Sequence, residues 1–525
     1  AREIDAAGRA VSPGFINMLS WSNESLLIDG RGQGELRQGV TLEVMGEGYS
    51  MGPLTPAMKQ ELIEQQGDLK FPVEWTTLGE YLELLETKGV SMNVASHVGA
   101  ATVRMNLLGS ADADPTPEQL DAMREIVRRA MEDGALGVGS SLIYAPGVFA
   151  ETGELVALAE AAGRCGGIYA THMRSEGRRL LEAIEETIEI SRRSGTPADI
   201  YHLKAAGREN WPKLGEAIAR IEAARNAGLR ISTEMYTYPA AATGLDAAMP
   251  PWVQEGGNAA WYARLRDPSI RKRVAAEMRA IDTNWENVLR DAGGPEQVLI
   301  VVLRNPALKP LIGRTLAEIA TERGVSAEEA AMDLVAEDES RVGAIYFLMS
   351  ENNVRRQIAL PYMSFGSDGT AVSAEGVFLK SNLHPRGYGN FARVFARYVR
   401  DEKLLTVEEA VRRLTAQPAA VLGLHDRGQL KGGFYADMVV FDPATIQDHA
   451  TYAAPHQYAT GVSNVLVNGV EALRDGEPTI ERPGRVVRGR GWTGWKDGGC
   501  RASPAEWDWP MWGPADWDGA RKAPH

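Results

Sequence analysis

Between residues 134 and 238 the chain repeats one unit, a short β-rich run followed by an amphipathic helix. "GALGVGSSLIY" leads through "ETGELVALAEAAGRCG" to "GIYATHM", then "EGRRLLEAIEETIEISRRSG" leads to "PADIYHL", and "KLGEAIARIEAARNAG" leads to "LRISTEMYTY". In the second helix Leu180, Leu181, Ile184 and Ile188 share one face and Glu and Arg residues cover the other. Strand and helix recurring about every 30 residues is the βαβ pattern. Parallel strands joined by crossover helices imply an α/β fold. For 525 residues the version that fits best is a (β/α)8 TIM-like barrel with a second, smaller domain.

The rest of the chain departs from this rhythm in three places. Residues 253–345 hold helices such as "WYARLRDPSIRKRVAAEMRAI" and "SAEEAAMDLVAED" with few strands, as a helical insertion over one βα loop would. From about residue 418 to 490 the chain is strand-rich with Gly-rich turns, which predicts a small β domain. Residues 491–525 carry several Trp among Pro and Gly; such a tail is expected to cover the barrel or a second copy of the chain in a homo-oligomer.

Composition narrows the function classes. Apolar residues at 44% and charged residues at 24% can build a large core. The net charge of −14, without a Lys/Arg block, argues against a nucleic-acid partner. No apolar run reaches the roughly 18 residues that a membrane span needs. Cys165 and Cys500 are too few for a disulfide framework. The opening "AREIDAAGRAVSPG" reads like the middle of a domain, so compartment stays open: cytoplasmic by default, with export compatible if a leader preceded it.

Two of the eight histidines stand at corresponding places one unit apart, His172 in "IYATHM" and His202 in "DIYHL". A barrel gathers its strand ends around one pocket, so paired strand-end imidazoles can share one metal ion; either alone would read as a buried, hydrogen-bonded histidine. Asp368 in "MSFGSDG" follows an apolar run. It is a turn former by itself, but beside a metal site it is placed to take a proton from water.

The ordered segments "GALGVGSSLIYAPG", "YATHMRSEG", "YHLKAAG", "YTYPAAATGLDAAMPPW", "GSDG", "HPRGYGNFARV" and "DRGQLKGGFYADMVVFDP" resemble the N-acyl-D-amino-acid deacylases (D-aminoacylases) of the amidohydrolase superfamily, from about residue 8 to 490. The resemblance implies a barrel over residues 13–417 and a small β-sandwich built from both chain ends, residues 1–12 and 418–490, whose first strands would precede this chain. It implies zinc on His172 and His202, and Asp368 as general base and acid. It also implies that Lys204, Arg386 and Tyr236 or Tyr238 hold the substrate carboxylate, with Tyr144 lining the same pocket. Two cations converging with a phenol suit that task.

Two departures from the family pattern stand out. Where "PGFI" normally runs into a His-x-His pair, this chain has Leu19 and Trp21, expected to fill the vacated metal position with apolar surface. The family's bridging cysteine is absent; Glu47 lies one residue from its place and is the candidate third ligand, while Glu43 is expected to face away. One zinc ion per chain is therefore expected. The first reading is a metal-dependent hydrolase of an N-acyl amino acid or a related carboxylate-bearing amide. The alternatives are a hydrolase of another amide, such as a cyclic imide, a dipeptide-like or a xenobiotic amide, and a non-catalytic binding protein of the same fold.

Overall fold

The computed structural model describes residues 3–281, 283–494 and 500. In chain order the strands are β1 (Ala10–Pro13), β2 (Phe15–Asn17), β3 (Val40–Met45), β4 (Asn93–Ser96), β5 (Val98–Gly99), β6 (Gly137–Ser141), β7 (Ile168–His172), β8 (Ala198–Ile200), β9 (Ile231–Met235), β10 (Ala241–Gly244), β11 (Val298–Val302), β12 (Gly343–Tyr346), β13 (Met363–Phe365), β14 (Met438–Phe441), β15 (Val462–Val467), β16 (Val470–Arg474) and β17 (Glu477–Pro478). β2, β3 and β4 make one parallel sheet; a second runs β13-β9-β8-β7-β6-β5. β4 and β5 are one stretch of chain interrupted at His97, where His97 N donates to Met45 O and Leu136 N to Ser96 O, at 2.8 and 2.9 Å. At the other seam, between β2 and β13, Met18 N donates to Phe365 O at 3.3 Å and Asp368 N to Leu19 O at 2.9 Å. The expected parallel α/β wall is thus present as two sheets, and among the described residues no single closed ladder runs round it.

The three helices read from the repeat occur at Thr152–Arg164, Leu180–Ser194 and Leu214–Asn226. Leu180, Ile184 and Ile188 are fully packed in the core, and Leu181 borders it, as the periodicity requires. No helix among the described residues is long and apolar enough to cross a membrane.

The structure departs from the sequence expectation in the small domain and adds detail in the insertion and at the two cysteines. The insertion has few strands, as its sequence suggests, and they join a strand just before it: β10 pairs with β12 and β12 with β11 in an antiparallel sheet, and Trp261, Leu265, Val274, Leu316 and Leu334 belong to a separate hydrophobic cluster. The small domain is, among the described residues, one five-stranded antiparallel sheet, β1-β14-β15-β16-β17, rather than a sandwich; β1 from the chain start pairs with β14 near its end. The two cysteines bond to each other, Cys165 at the end of the helix Thr152–Arg164 to Cys500. Of the Trp-rich segment, residues 495–499 and 501–525 lie outside the described residues, so the expected covering role falls there.

Side chains reinforce the seam between β2 and β13. The Asn17 amide nitrogen, with two hydrogens to donate, lies within hydrogen-bond distance of Glu35 Oε2, Glu43 Oε2 and Ser367 Oγ at 2.7, 2.9 and 2.9 Å, while Asn17 Oδ1 accepts from Ser367 N at 2.8 Å. Glu43 does not line the cavity, as expected; it lies beside Asn17, its register partner across the sheet, on the side that meets Glu35 of the helix Gln33–Leu36. Burial, and then the neighbouring Glu43 charge, push the Glu35 carboxyl well above its ordinary range; burial raises Glu43 as well. Such a pair is tolerable when it holds a proton. A carboxyl that binds its proton more tightly in the folded chain contributes stability that is complete below its unfolded pKa and is lost as pH rises toward the folded one. Glu35→Gln keeps the shape and supplies the donor without titrating. It is expected to raise the urea midpoint at about pH 8 while leaving it nearly unchanged at about pH 4, flattening the pH profile. Parallel profiles for the two proteins would show that this pair is ionised in the fold.

Candidate metal centre

The strand ends converge on a cavity of about 800 Å³, lined among others by Trp21, Glu47, Tyr144, His172, His202, Lys204, Tyr236, Asp368 and Arg386. His172 is the last residue of β7. His202 lies two residues beyond β8, in a turn where its φ is +33°. Asp368, three residues beyond β13, is also left-handed, with φ +46°. Non-glycine residues held in this region cost of order 1–3 kcal/mol each and persist where the surroundings over-determine them. Here Glu234 supplies part of that support by accepting from His202 N at 2.5 Å. Burial raises Glu234 to about 8, so at neutral pH it is a neutral carboxyl.

Glu47 reaches the same point from β3. Gly46 takes φ +102°, and a Cβ there would meet His97 O at 2.3 Å, so the turn that carries Glu47 requires glycine. Glu47 Oε1 lies 2.9 Å from His172 Nδ1 and 3.1 Å from His202 Nε2. One ligand atom from each of the three falls within 4.8 Å of the others, and all three residues are buried. Two imidazole nitrogens and a carboxylate oxygen form a donor set suited to zinc. Burial alone would raise Glu47, but its hydrogen bonds to His172 and His202 outweigh it and hold the carboxyl well below its ordinary range. Burial and Lys204 depress the His202 imidazole, but Glu176 and Glu47 outweigh both and raise it to about 10.

Trp21 occupies the vacated first-strand position in a way its sequence context does not suggest. Its indole N–H donates to Glu47 Oε2 at 2.9 Å and to Asp368 Oδ1 at 3.1 Å, so it is a polar link between the candidate ligand and the candidate base rather than an apolar filler. Leu19 does not line the cavity; it is buried against Ala170 and Tyr201.

The two cations expected to clamp a carboxylate are each already paired. Lys204 Nζ donates to Glu176 Oε1 at 2.6 Å and sits 2.7 Å from His202 Nδ1. Arg386 Nη1 lies 2.7 Å from Asp368 Oδ2. Both lie against the Tyr236 ring, 5.6 and 4.6 Å from its centre. Burial pushes the Asp368 carboxyl up, and Arg386 pulls it only part of the way back. Of the two tyrosines in "MYTY", Tyr236 faces the cavity; Tyr238 is buried against His384 and Arg393. Tyr144 sets its edge against His172, with ring centres 5.3 Å apart. Sequence reading missed Glu176, which pairs with Lys204 and lies 2.9 Å from His202 Nδ1. Its spacing four residues after His172 was the available signal.

Residues 2–472 match the amidohydrolase family. The chain is 34% identical over 490 residues to an N-acyl-D-glutamate deacylase of Alcaligenes xylosoxydans, covering 93% of this chain and 88% of that one. It is 33% identical to a D-aminoacylase of the same organism over 92% and 88% of the two chains. Among solved structures, a D-aminoacylase studied for its binuclear metal centre, with activation by one metal and attenuation by a second, superposes with TM-score 0.74 at 33% identity over 92% of this chain and 90% of that one. The N-acyl-D-glutamate deacylase of Bordetella bronchiseptica, bound to zinc and a phosphonate mimic of the tetrahedral intermediate, gives TM-score 0.74 at 30% identity over the same shares. On this likeness, spanning nearly the whole chain, the protein belongs to the amidohydrolase family.

Proposed function

We propose that the protein is a metal-dependent hydrolase of N-acyl-D-amino acids, built on a (β/α)8 barrel whose wall is the two parallel sheets. The observation that carries this reading is the buried Glu47, His172 and His202 cluster on the cavity floor with Asp368 tied to it through Trp21. A divalent cation on these three residues, read as one zinc ion per chain, supplies Lewis-acid polarisation of the amide carbonyl and acidifies a water.

The chain's own groups do the rest. Asp368 Oδ1 and Oδ2 are held by the Trp21 indole and the Arg386 guanidinium, so the carboxylate is fixed in place to accept a proton from water and return it to the leaving amine. Glu176 sits behind His202 and Lys204 neutralises it, which keeps the imidazole oriented with Nε2 toward Glu47. Arg386 over Tyr236 is the group that receives the substrate carboxylate; Lys204, already paired, assists from behind His202.

Three outcomes are expected. Elemental analysis should find one divalent ion per chain, reduced in Glu47→Gln. Because metal replaces a proton on an imidazole otherwise held protonated up to about 10, affinity should weaken as pH falls; two ions per chain, or none, would contradict the site. Asp368→Asn should keep its metal and lose about 10²–10⁴-fold in kcat, and near-normal turnover would remove Asp368 from the mechanism. Amidating the substrate carboxylate, or replacing Arg386 by Lys, should lower kcat/KM strongly because a two-pronged contact is lost; equal rates on free and amidated substrates would sink that assignment.

A further inference from the structure

Charge pairing around the cavity limits what else it can hold. Four basic residues line it. Lys204 pairs with Glu176, Arg386 with Asp368, and Arg341 with Asp246 at 2.9 Å while lying on the Tyr144 ring. Arg304 donates to the Glu339 carbonyl at 3.3 Å. Beyond Arg386, already assigned to the substrate carboxylate, Lys204 and Arg341 are neutralised by carboxylates, and Arg304, hydrogen-bonded to a carbonyl of the insertion, belongs to the side of the cavity formed by that insertion.

The wall that continues from Glu47 is apolar. After Tyr49, whose hydroxyl donates to Ala145 O at 2.6 Å, the chain presents Met51 and Leu54, then Met58 and Leu62 on successive turns of the helix Pro56–Gln65. Met105 and Ile143 face the same space. The frame is fixed: the Trp75 indole donates to Met51 O, and the Asn106 amide donates to Pro53 O at 3.0 Å and lies 3.6 Å from Met58 Sδ. The polar residues of that helix which also line the cavity, Glu61 and Gln65, are engaged by Asn258 and Tyr262 of the insertion, at 3.0 and 3.3 Å. Methionine side chains adapt to flexible apolar groups. The 800 Å³ cavity lies in the upper part of the roughly 300–1,000 Å³ range of ligand sites, far more than an acetyl group needs.

We infer that the enzyme's preferred substrates are N-acyl amino acids with a long aliphatic acyl chain and a neutral amino-acid side chain, the acyl chain lying along Met51, Leu54, Met58 and Met105. This rests on the deacylase reading, because the direction of the acyl chain follows from placing the carboxylate on the Arg386 and Tyr236 side of the three ligands. The acyl carbon then leaves on the opposite side, past Tyr144 and Glu47, toward this wall.

The test uses the zinc-loaded full chain and a series of N-acetyl-, N-hexanoyl- and N-decanoyl-D-leucine. The expected kcat/KM rises about two- to fourfold per methylene until the wall is covered. N-decanoyl-D-glutamate should be poorer than N-decanoyl-D-leucine. Met58→Glu, and separately Leu62→Glu at a half-buried position, should each cut the decanoyl-to-acetyl ratio at least about tenfold, a ratio that a general loss of folded enzyme does not move. Calorimetric titration of the Asp368→Asn protein with the acetyl and decanoyl compounds reads the same preference without turnover. Turnover or binding that is flat or falls with chain length overturns the inference and leaves the deacylase reading standing. Chain-length-dependent binding with no hydrolysis of any member overturns the deacylase reading instead.

Discussion

The cavity is organised by one carboxylate, Glu47, lodged within hydrogen-bond distance of two imidazoles from neighbouring strands. An ionised carboxylate taken out of water is costly unless its charge is met. Nearby, Glu176 and Asp368 are matched by Lys204 and Arg386, so Glu47 is the charge left over, and protons on the histidines or a cation must balance it. That imbalance is what makes the cluster a candidate metal centre: a divalent ion would satisfy the carboxylate and both ring nitrogens at once. Trp21 then couples the centre to Asp368 with one N–H shared between them.

The layer below serves a different purpose. Asn17, Glu35, Glu43 and Ser367 connect β2 to the turn after β13, where the backbone ladder has only single bonds. Asn17 Oδ1 accepts from both Ser367 N and Leu19 N, at 2.8 and 3.3 Å, so it fixes the backbone on both sides of the seam. Asp368 and Trp21 project from those two stretches. The geometry of the candidate base is thus set by a network that touches neither substrate nor metal.

The insertion gives the cavity its character. Its own hydrophobic cluster makes it a rigid wall, and Arg341 reaches from it to stack on Tyr144, which in turn packs on His172. The helix Pro56–Gln65 is bonded to it through Asn258 and Tyr262, so the apolar side of the cavity and the insertion are tied together. Family relatives can share the metal chemistry while differing in what this space admits, since the ligands come from strand ends and the lining from connecting segments.

Much of this was legible in the sequence because it depends on periodicity and on strand-end position. The helix at Leu180–Ser194 follows from apolar spacing, and the convergence of His172 with His202 follows from their equivalent places in adjacent units. Glu47 could be nominated from its place near a missing cysteine, and Asp368 from its apolar run ending in Gly-Ser-Asp-Gly. What only the tertiary structure decided are the partners. Lys204 meets Glu176 rather than standing free beside Arg386, and the Trp21 indole N–H finds two carboxylates. Glu43 meets Asn17 across the sheet and, through it, Glu35 of the helix Gln33–Leu36, and Cys165 meets Cys500 across 335 residues of chain. Sequence spacing fixes where a side chain leaves the backbone within one element, but the charge or donor that will face it comes from another element, and burial energies choose among the arrangements only once all of them are in place.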